Sequence, residues 1–402
     1  MPSPTRAPQT VALALVLTVV MTGGTLPSSV YRTYEQSFGF GLVTVTVVYA
    51  SYAAGVLVAL VAFGQWSDVL GRRPLLAAGL VAAVLSAGCF LLADGVAVLL
   101  VGRLLSGLSA GIFVGTATAA VTETARGSWT RRAPLVATTA NVTGLGLGPL
   151  LGGLLVAWAP APMRTPYAVH LGLCLAGLVV VALLPESAER AGPAGARLHR
   201  MRLAVPEEVR PFFVATGALG LAAFAVLGLF TAVTPTIAAE VLGVTGPVAV
   251  ALLISTFYVG SAVGQVALTR LGEGTWERVA AAALVTGMAL LALAMVTGWW
   301  PVLVLGGLVS GLGHGVGFSQ GLATLVAHTP DGTRAAVTSA YFAVVYVGMS
   351  VPVVVEGLTS AAVGVVPAGV GFAAVVAATV AGAYALSRRS GRRARPGATL
   401  VG

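Results

Sequence analysis

Residues 41–74 read GLVTVTVVYASYAAGVLVALVAFGQWSDVLGRRP. The stretch from Gly41 to Phe63 carries no charge. As a helix rising 1.5 Å per residue it is about 35 Å long, enough to cross the hydrocarbon core of a bilayer. The next residues reverse that character. Gly64 and Gly71 bracket a short polar segment that holds Asp68, and Arg72 and Arg73 close it before the chain turns apolar again at Pro74. A long apolar helix, a polar turn marked by arginines and a second apolar run make a membrane-spanning hairpin.

The same alternation extends in both directions. Apolar runs long enough to cross a membrane fall at 11–30, 41–63, 74–93, 97–121, 134–158, 167–184, 212–234, 246–269, 278–298, 301–326, 335–356 and 364–387. Composition agrees: 57% of the 402 residues are hydrophobic and 9% charged, against about 25% charged in a soluble globular chain. The apolar run at 11–30 exceeds the roughly 7–15-residue core of a secretory signal and is read as the first span, left in place. The expected fold class is an all-α membrane protein with twelve transmembrane helices in two pseudo-symmetric six-helix bundles. Residues 1–184 form the first bundle, 185–210 a linker, 211–387 the second bundle and 388–402 a basic tail.

The arginines set the orientation. All 22 basic residues are arginine. With the amino terminus inside, nineteen fall in cytoplasmic segments, only Arg32 and Arg164 fall outside, and Arg103 lies within a span. Such a bias is the positive-inside pattern. It assigns the net charge of +9 to membrane topology and leaves no nucleic-acid partner to explain. A multi-pass protein of a bacterial inner membrane is expected, with both termini cytoplasmic, acting as a monomer. Cys89 and Cys174 sit in apolar runs, and no Cys/His cluster has metal-ligand spacing, so no metal is expected. No GxxxxGK[ST] phosphate loop occurs, so no ATP and no other cofactor is expected. With no cluster of catalytic groups, an enzyme is not expected.

A weak repeat crosses the linker. Gly64-Gln65 recurs as Gly264-Gln265, Ser106-Gly107-Leu108 as Ser310-Gly311-Leu312 with Gly111 matching Gly315, and Arg132-Ala133 as Arg334-Ala335. The matches keep their order at offsets of 200 to 204. Duplicated halves with a cargo site between them near the bilayer midplane are a known transporter plan.

Three segments carry a family resemblance. Gly64-Gln-Trp-Ser-Asp68-Val-Leu-Gly71-Arg72-Arg73 resembles the signature loop of the major facilitator superfamily; Trp66 stands where Leu is usual and Val69 where a basic residue is. The resemblance implies a conformational latch made by Gly64, Asp68, Gly71, Arg72 and Arg73. In it, Asp68 would meet the start of the eleventh span near Thr333 to Ala335, where a helix amino end favours a carboxylate. Leu99-Leu-Val-Gly-Arg103-Leu-Leu-Ser106-Gly107 resembles the family's fourth-helix motif, which implies a part for Arg103 in proton coupling; Ser106 replaces the usual Gln. Gly144-Leu-Gly-Leu-Gly148-Pro149-Leu-Leu-Gly152-Gly153 is similar to the antiporter motif of twelve-helix drug–proton exporters. Its small residues let helices approach closely, and Pro149 removes a backbone hydrogen bond. The second half keeps only Gly348 and Pro352 near the matching place.

An arginine within a span costs about 2.5–3.5 kcal/mol on insertion scales. Arg103 therefore either faces a partner or cavity, or snorkels to the outer interface. His314 lies near the middle of the tenth span and is a proton-carrier candidate, because imidazole titrates near neutral pH; a packing histidine is the alternative. Glu356 ends the eleventh span as read. There it is an interfacial carboxylate, and it becomes the leading proton site if the span runs further. Spans one, two, five and seven hold no carboxylate. Substrate-cavity candidates are Asn141, Tyr258, Phe318 and Tyr346, drawn from a wider set with Tyr52, Phe113, Phe257, Gln265 and Tyr341. The expected function is proton-coupled efflux of a small, largely apolar compound by alternating access. The alternative is an importer or facilitator of a polar solute such as a sugar, amino acid or organic anion.

Overall fold

The structure, a computed structural model, describes residues 7–63, 66–125, 129–186, 204–267, 271–272 and 274–393. Twelve long helices carry the expected spans: α1 (Ala7–Thr25), α3 (Leu42–Phe63), α5 (Arg72–Leu91), α6 (Val96–Thr124), α7 (Ala133–Trp158), α8 (Thr165–Leu183), α9 (Arg210–Ala232), α11 (Pro247–Val266), α12 (Thr275–Thr297), α13 (Trp300–Ala327), α14 (Arg334–Val363) and α15 (Val365–Arg393). Short helices α2 (Tyr31–Phe38), α4 (Trp66–Leu70) and α10 (Thr234–Glu240) lie in the connections. No strand occurs among the described residues. Lipid offers no hydrogen bonds, so each apolar run must close its own backbone bonds, and helices do so.

Two boundaries differ from the sequence reading. Span eleven was expected to end at 356, but α14 continues to Val363. Residues 357–363 hold no charge and no proline, so nothing stops the helix until Gly364, whose φ of 93° turns the chain into α15. The basic tail expected from 388 is helical up to Arg393.

The alternating direction of the spans puts the start of α1, the end of α8, the start of α9 and the end of α15 on one face, termed the linker face; the other is the far face. Trp158, Trp299 and Trp300 are well exposed at far-face helix ends, where indole rings suit a membrane interface.

In the first bundle α1 packs on α6, α7 and α8, while α6 also packs on α3 and α5; in the second, α9 packs on α13, α14 and α15, and α13 on α11 and α12. Glycines make the tightest crossings, and these follow the repeat. A Cβ on Gly107 of α6 would lie 3.0 Å from the Val56 nitrogen of α3. A Cβ on Gly311 of α13 would lie 3.0 Å from the Ser261 nitrogen of α11. Gly111 and Gly315 make the next contacts along, on Val56 and on Ser261 with Gln265. The sequence matches thus mark one helix crossing built twice.

Candidate functional site

The bundles meet along two seams, α7 with α11 and α3 with α14. Between the seams lies a cavity of about 80 Å³. Seven aromatic rings line it: Tyr49 and Tyr52 from α3, Phe224 from α9, Tyr258 from α11, Phe318 from α13, and Phe342 and Tyr346 from α14. Asn141, Ser261, Gln265 and His314 supply polar groups. The cavity leads into a vestibule of about 620 Å³, and the two share Asn141, Gln265, Phe318 and Phe342. Arg72, Arg334 and Ala335 line the vestibule at its linker-face end. The path is therefore open toward the linker face.

Toward the far face it is closed by backbone. A Cβ on Gly153 would lie 2.8 Å from the Pro247 carbonyl oxygen, and one on Gly146 would lie 3.3 Å from Tyr258 Cβ. Ser255 Oγ donates to the Gly146 carbonyl at 3.4 Å. On the other seam Gly357 of α14 abuts Thr46 of α3. Outside these seams Arg32 of α2 pairs with Glu240 of α10 at 3.8 Å. Burial, reinforced by the negative charge of Glu240 and opposed by Arg32, raises the Glu35 carboxyl to about 7.

The glycines of the α7 segment divide their work. Gly144 packs on Thr18 and Met21, Gly148 on Thr22 and Thr25, and Gly152 on Leu26 and Ser29, all within the first bundle. Ser29 Oγ donates at 2.7 Å to the Pro149 carbonyl. Gly153, like Gly146 before it, meets α11 of the second bundle instead.

Of the cavity candidates, Asn141, Tyr258, Phe318 and Tyr346 line the space, as do Tyr52 and Gln265. Phe113, Phe257 and Tyr341 do not; each is fully buried inside a bundle. Arg103 does not reach the outer interface. It is fully buried behind the cavity wall, with Nη1 donating to the Gly24 carbonyl at 2.7 Å and the guanidinium 4.8 Å from the Tyr52 ring centre and 5.4 Å from that of Tyr49. Among the described residues its Nε and Nη2 have no hydrogen-bond partner. His314 does line the cavity, between Phe224 and Phe257. Glu356, expected at a helix end, is 2% exposed within α14, where it accepts from Ser360 Oγ at 3.3 Å. The three proton-coupling candidates are therefore not one cluster.

Of the latch residues, Gly64 and the side chain of Asp68 lie outside the described residues. Gly71 has φ 98°, and its neighbours are tied down by two carboxylates that carry no local sequence signal. Glu123 at the end of α6 pairs with Arg72 at 2.7 Å. Glu186 after α8 accepts from the Arg72 and Arg73 amides at 2.8 and 3.1 Å. No group of three His, Cys, Asp or Glu side chains could hold a metal ion among the described residues.

No curated protein matches the sequence. Two solved structures of a bacterial homologue of the human lysosomal transporter Spinster resemble it. The inward-facing unoccupied form is 15% identical with a TM-score of 0.75, covering 96% of this chain and 98% of that one. The inward-facing occupied form is 14% identical with a TM-score of 0.70, covering 98% of each. The human organic anion transporter MFSD10 (TETRAN) is 18% identical with a TM-score of 0.62, covering 96% of this chain and all of that one. At these identities the likeness carries the fold. Residues 11–351 match the sequence pattern of the Major Facilitator Superfamily, and the chain belongs to that family of alternating-access membrane transporters.

Proposed function

We propose that the chain exports a small, largely apolar compound in exchange for protons, across a bacterial inner membrane whose cytoplasmic side is the linker face. The observation that carries this reading is the aromatic-walled cavity open toward that face. An apolar solute loses little on entering such walls and gains the burial of its surface. The arginine bias orients the linker face inward, and the α7 segment similar to exporters supplies a glycine to the far-face seam.

Protons need a membrane-embedded acid. Among the described residues, Glu356 alone of the acidic side chains lies more than one turn from both ends of a spanning helix. A charge within a span is costly unless it is paired or wetted, so a carboxyl at this depth is a place where a conformational change can couple to proton uptake and release. Arg103 and His314 complete the proposed coupling set.

The test is flux in inverted vesicles with an acid lumen, using lipophilic dyes. Dye accumulation that needs the gradient, and that Glu356→Gln abolishes while leaving dye exchange intact, is expected. Gradient-driven accumulation that survives Glu356→Gln removes this acid from the path. No gradient-driven flux of any dye overturns the exporter.

A second reading, a transporter of an organic anion, is favoured by the two unpartnered donors of Arg103 and by the likeness to MFSD10. Gradient-independent exchange of a carboxylate solute, lost in Arg103→Gln, would promote it.

A further inference from the structure

His314, Ser261 and Gln265 form a hydrogen-bonded chain on the cavity wall. Gln265 Nε2 donates to Ser261 Oγ at 3.0 Å, and Ser261 Oγ lies 2.9 Å from His314 Nδ1. All three side chains are buried. With the amide hydrogen already on its oxygen, the serine hydroxyl is free to spend its own hydrogen on Nδ1. Nδ1 is then an acceptor, and in a neutral imidazole the proton sits on Nε2. Among the described residues His314 Nε2 has no hydrogen-bond partner. The ring is sandwiched by Phe224 and Phe257, at 5.0 and 5.2 Å between centres, and stacks on Phe318 at 6.1 Å. The titratable side chains on helices packed against α13 that border this part of the cavity are the phenols Tyr258 and Tyr346. No carboxylate lines the cavity among the described residues.

We infer that Gln265 and Ser261 hold His314 in its Nε2–H form, so that the imidazole offers cargo a neutral donor set among the Phe224, Phe257 and Phe318 rings. The cargo class that fits is a flat or compact aromatic compound carrying a hydrogen-bond acceptor such as a ketone, ester or ether oxygen. This rests on the cavity being the cargo site. A buried donor left unpaired is costly, by an amount that exceeds the gain from an ordinary hydrogen bond. The site should therefore discriminate against an analogue that keeps the rings and lacks the acceptor. Ser261 and Gln265 act here as positioning residues for His314, whose imidazole makes the hydrogen bond to cargo.

Fluorenone and fluorene share one ring system and differ by the carbonyl oxygen. Their binding to the purified full-length protein is measured by equilibrium dialysis, and the histidine tautomer is read by nitrogen-15 NMR of histidine-labelled protein, with His314 assigned by difference from His314→Gln. The wild type is expected to show an Nε2–H ring and to bind fluorenone about tenfold more tightly, the ratio that about 1.4 kcal/mol of donor desolvation gives. His314→Gln, whose amide can place an N–H near the Nε2 position, should keep most of that preference. His314→Leu should lose it while still binding fluorene. Ser261→Ala should mix the tautomers and reduce the preference severalfold. An Nδ1–H ring, the form a reversed Gln265 amide would impose, overturns the inference, as does equal binding of the two probes to the wild type. A clear fluorenone preference with no gradient-driven flux in vesicles would instead overturn the proton-coupled efflux reading and leave this one standing.

Discussion

Gly153 of α7 and Pro247 of α11 face each other across the seam so closely that a Cβ on the glycine would sit 2.8 Å from the proline carbonyl oxygen and 2.5 Å from Ala251 Cβ. The neighbour is backbone and cannot swing aside. Gly153→Leu should hold the far-face ends of the bundles apart. Thr236, 3% exposed beside the far-face pocket that Arg32, Glu35 and Glu240 line, is a suitable reporter as Thr236→Cys in a chain with Cys89 and Cys174 replaced. Labelling by a membrane-impermeant maleimide is expected to rise about tenfold, the ratio corresponding to about 1.4 kcal/mol of overpacking, and transport should stop. Unchanged labelling would show that the seam yields to a larger side chain.

Seam closure should also respond to pH through Glu35. Its carboxyl is raised to about 7, first by burial, then by Glu240, against the pull of Arg32. The ordinary value is 4.5, so the closed far face binds a proton that an open, hydrated one does not hold between about 4.5 and 7. Closure is thus favoured as pH falls through 7 and weakened as pH rises through it. Thr236→Cys labelling should increase from pH 6 to pH 8, and Glu35→Gln should flatten that slope. An unaltered slope in Glu35→Gln would assign the titration to another group.

On the linker face, the Arg72 guanidinium reaches both oxygens of Glu123, with Nε at 3.2 Å from each and Nη2 at 2.7 Å from one. The pair is partly exposed, so its coupling should be modest. A double-mutant cycle of Arg72→Gln and Glu123→Gln, read by thermal unfolding in detergent, is expected to give about 0.5–1 kcal/mol, shrinking in high salt. Coupling near zero in low salt would mean the fork only positions the turn.

Within the bundles, the duplicated crossing should be intolerant at both copies. Gly107→Val and Gly311→Val each drive a branched side chain into facing backbone and are expected to cost about 1–3 kcal/mol, seen as lowered melting temperatures. Gly88→Val is the control: nothing lies within 4 Å of a Cβ there, and its melting temperature should hold within a degree or two.

The spans were legible because a helix in lipid needs a long uncharged run, and that run is a property of contiguous residues. The repeat was legible for a related reason, since a close helix crossing demands glycine at fixed positions. The end of α14 was not. Thr359 and Ser360 return their hydroxyls to the helix or to Glu356, so a polar composition that resembles a boundary is absorbed inside the span. The carboxylate partners Glu123 and Glu186 lie 51 and 114 residues from Arg72, and no local pattern joins them. Phe224 and Phe342 are apolar residues in apolar runs, like the many positions that face lipid, and only the packing of two bundles turns them inward. Helix α2 did have a signal that went unread: Tyr31, Tyr34 and Phe38 fall on one helical face and Arg32 and Glu35 on another.

The volume of the central cavity has its own consequence. About 80 Å³ is room for two or three waters at roughly 30 Å³ each, far below the roughly 300–1,000 Å³ of a pocket that encloses a drug-sized molecule. A solute larger than that space must push the aromatic walls outward before it is enclosed. Such a chamber selects by compliance rather than by fit: the solutes it admits are those whose burial outweighs the work of parting the rings, and many shapes can meet that condition.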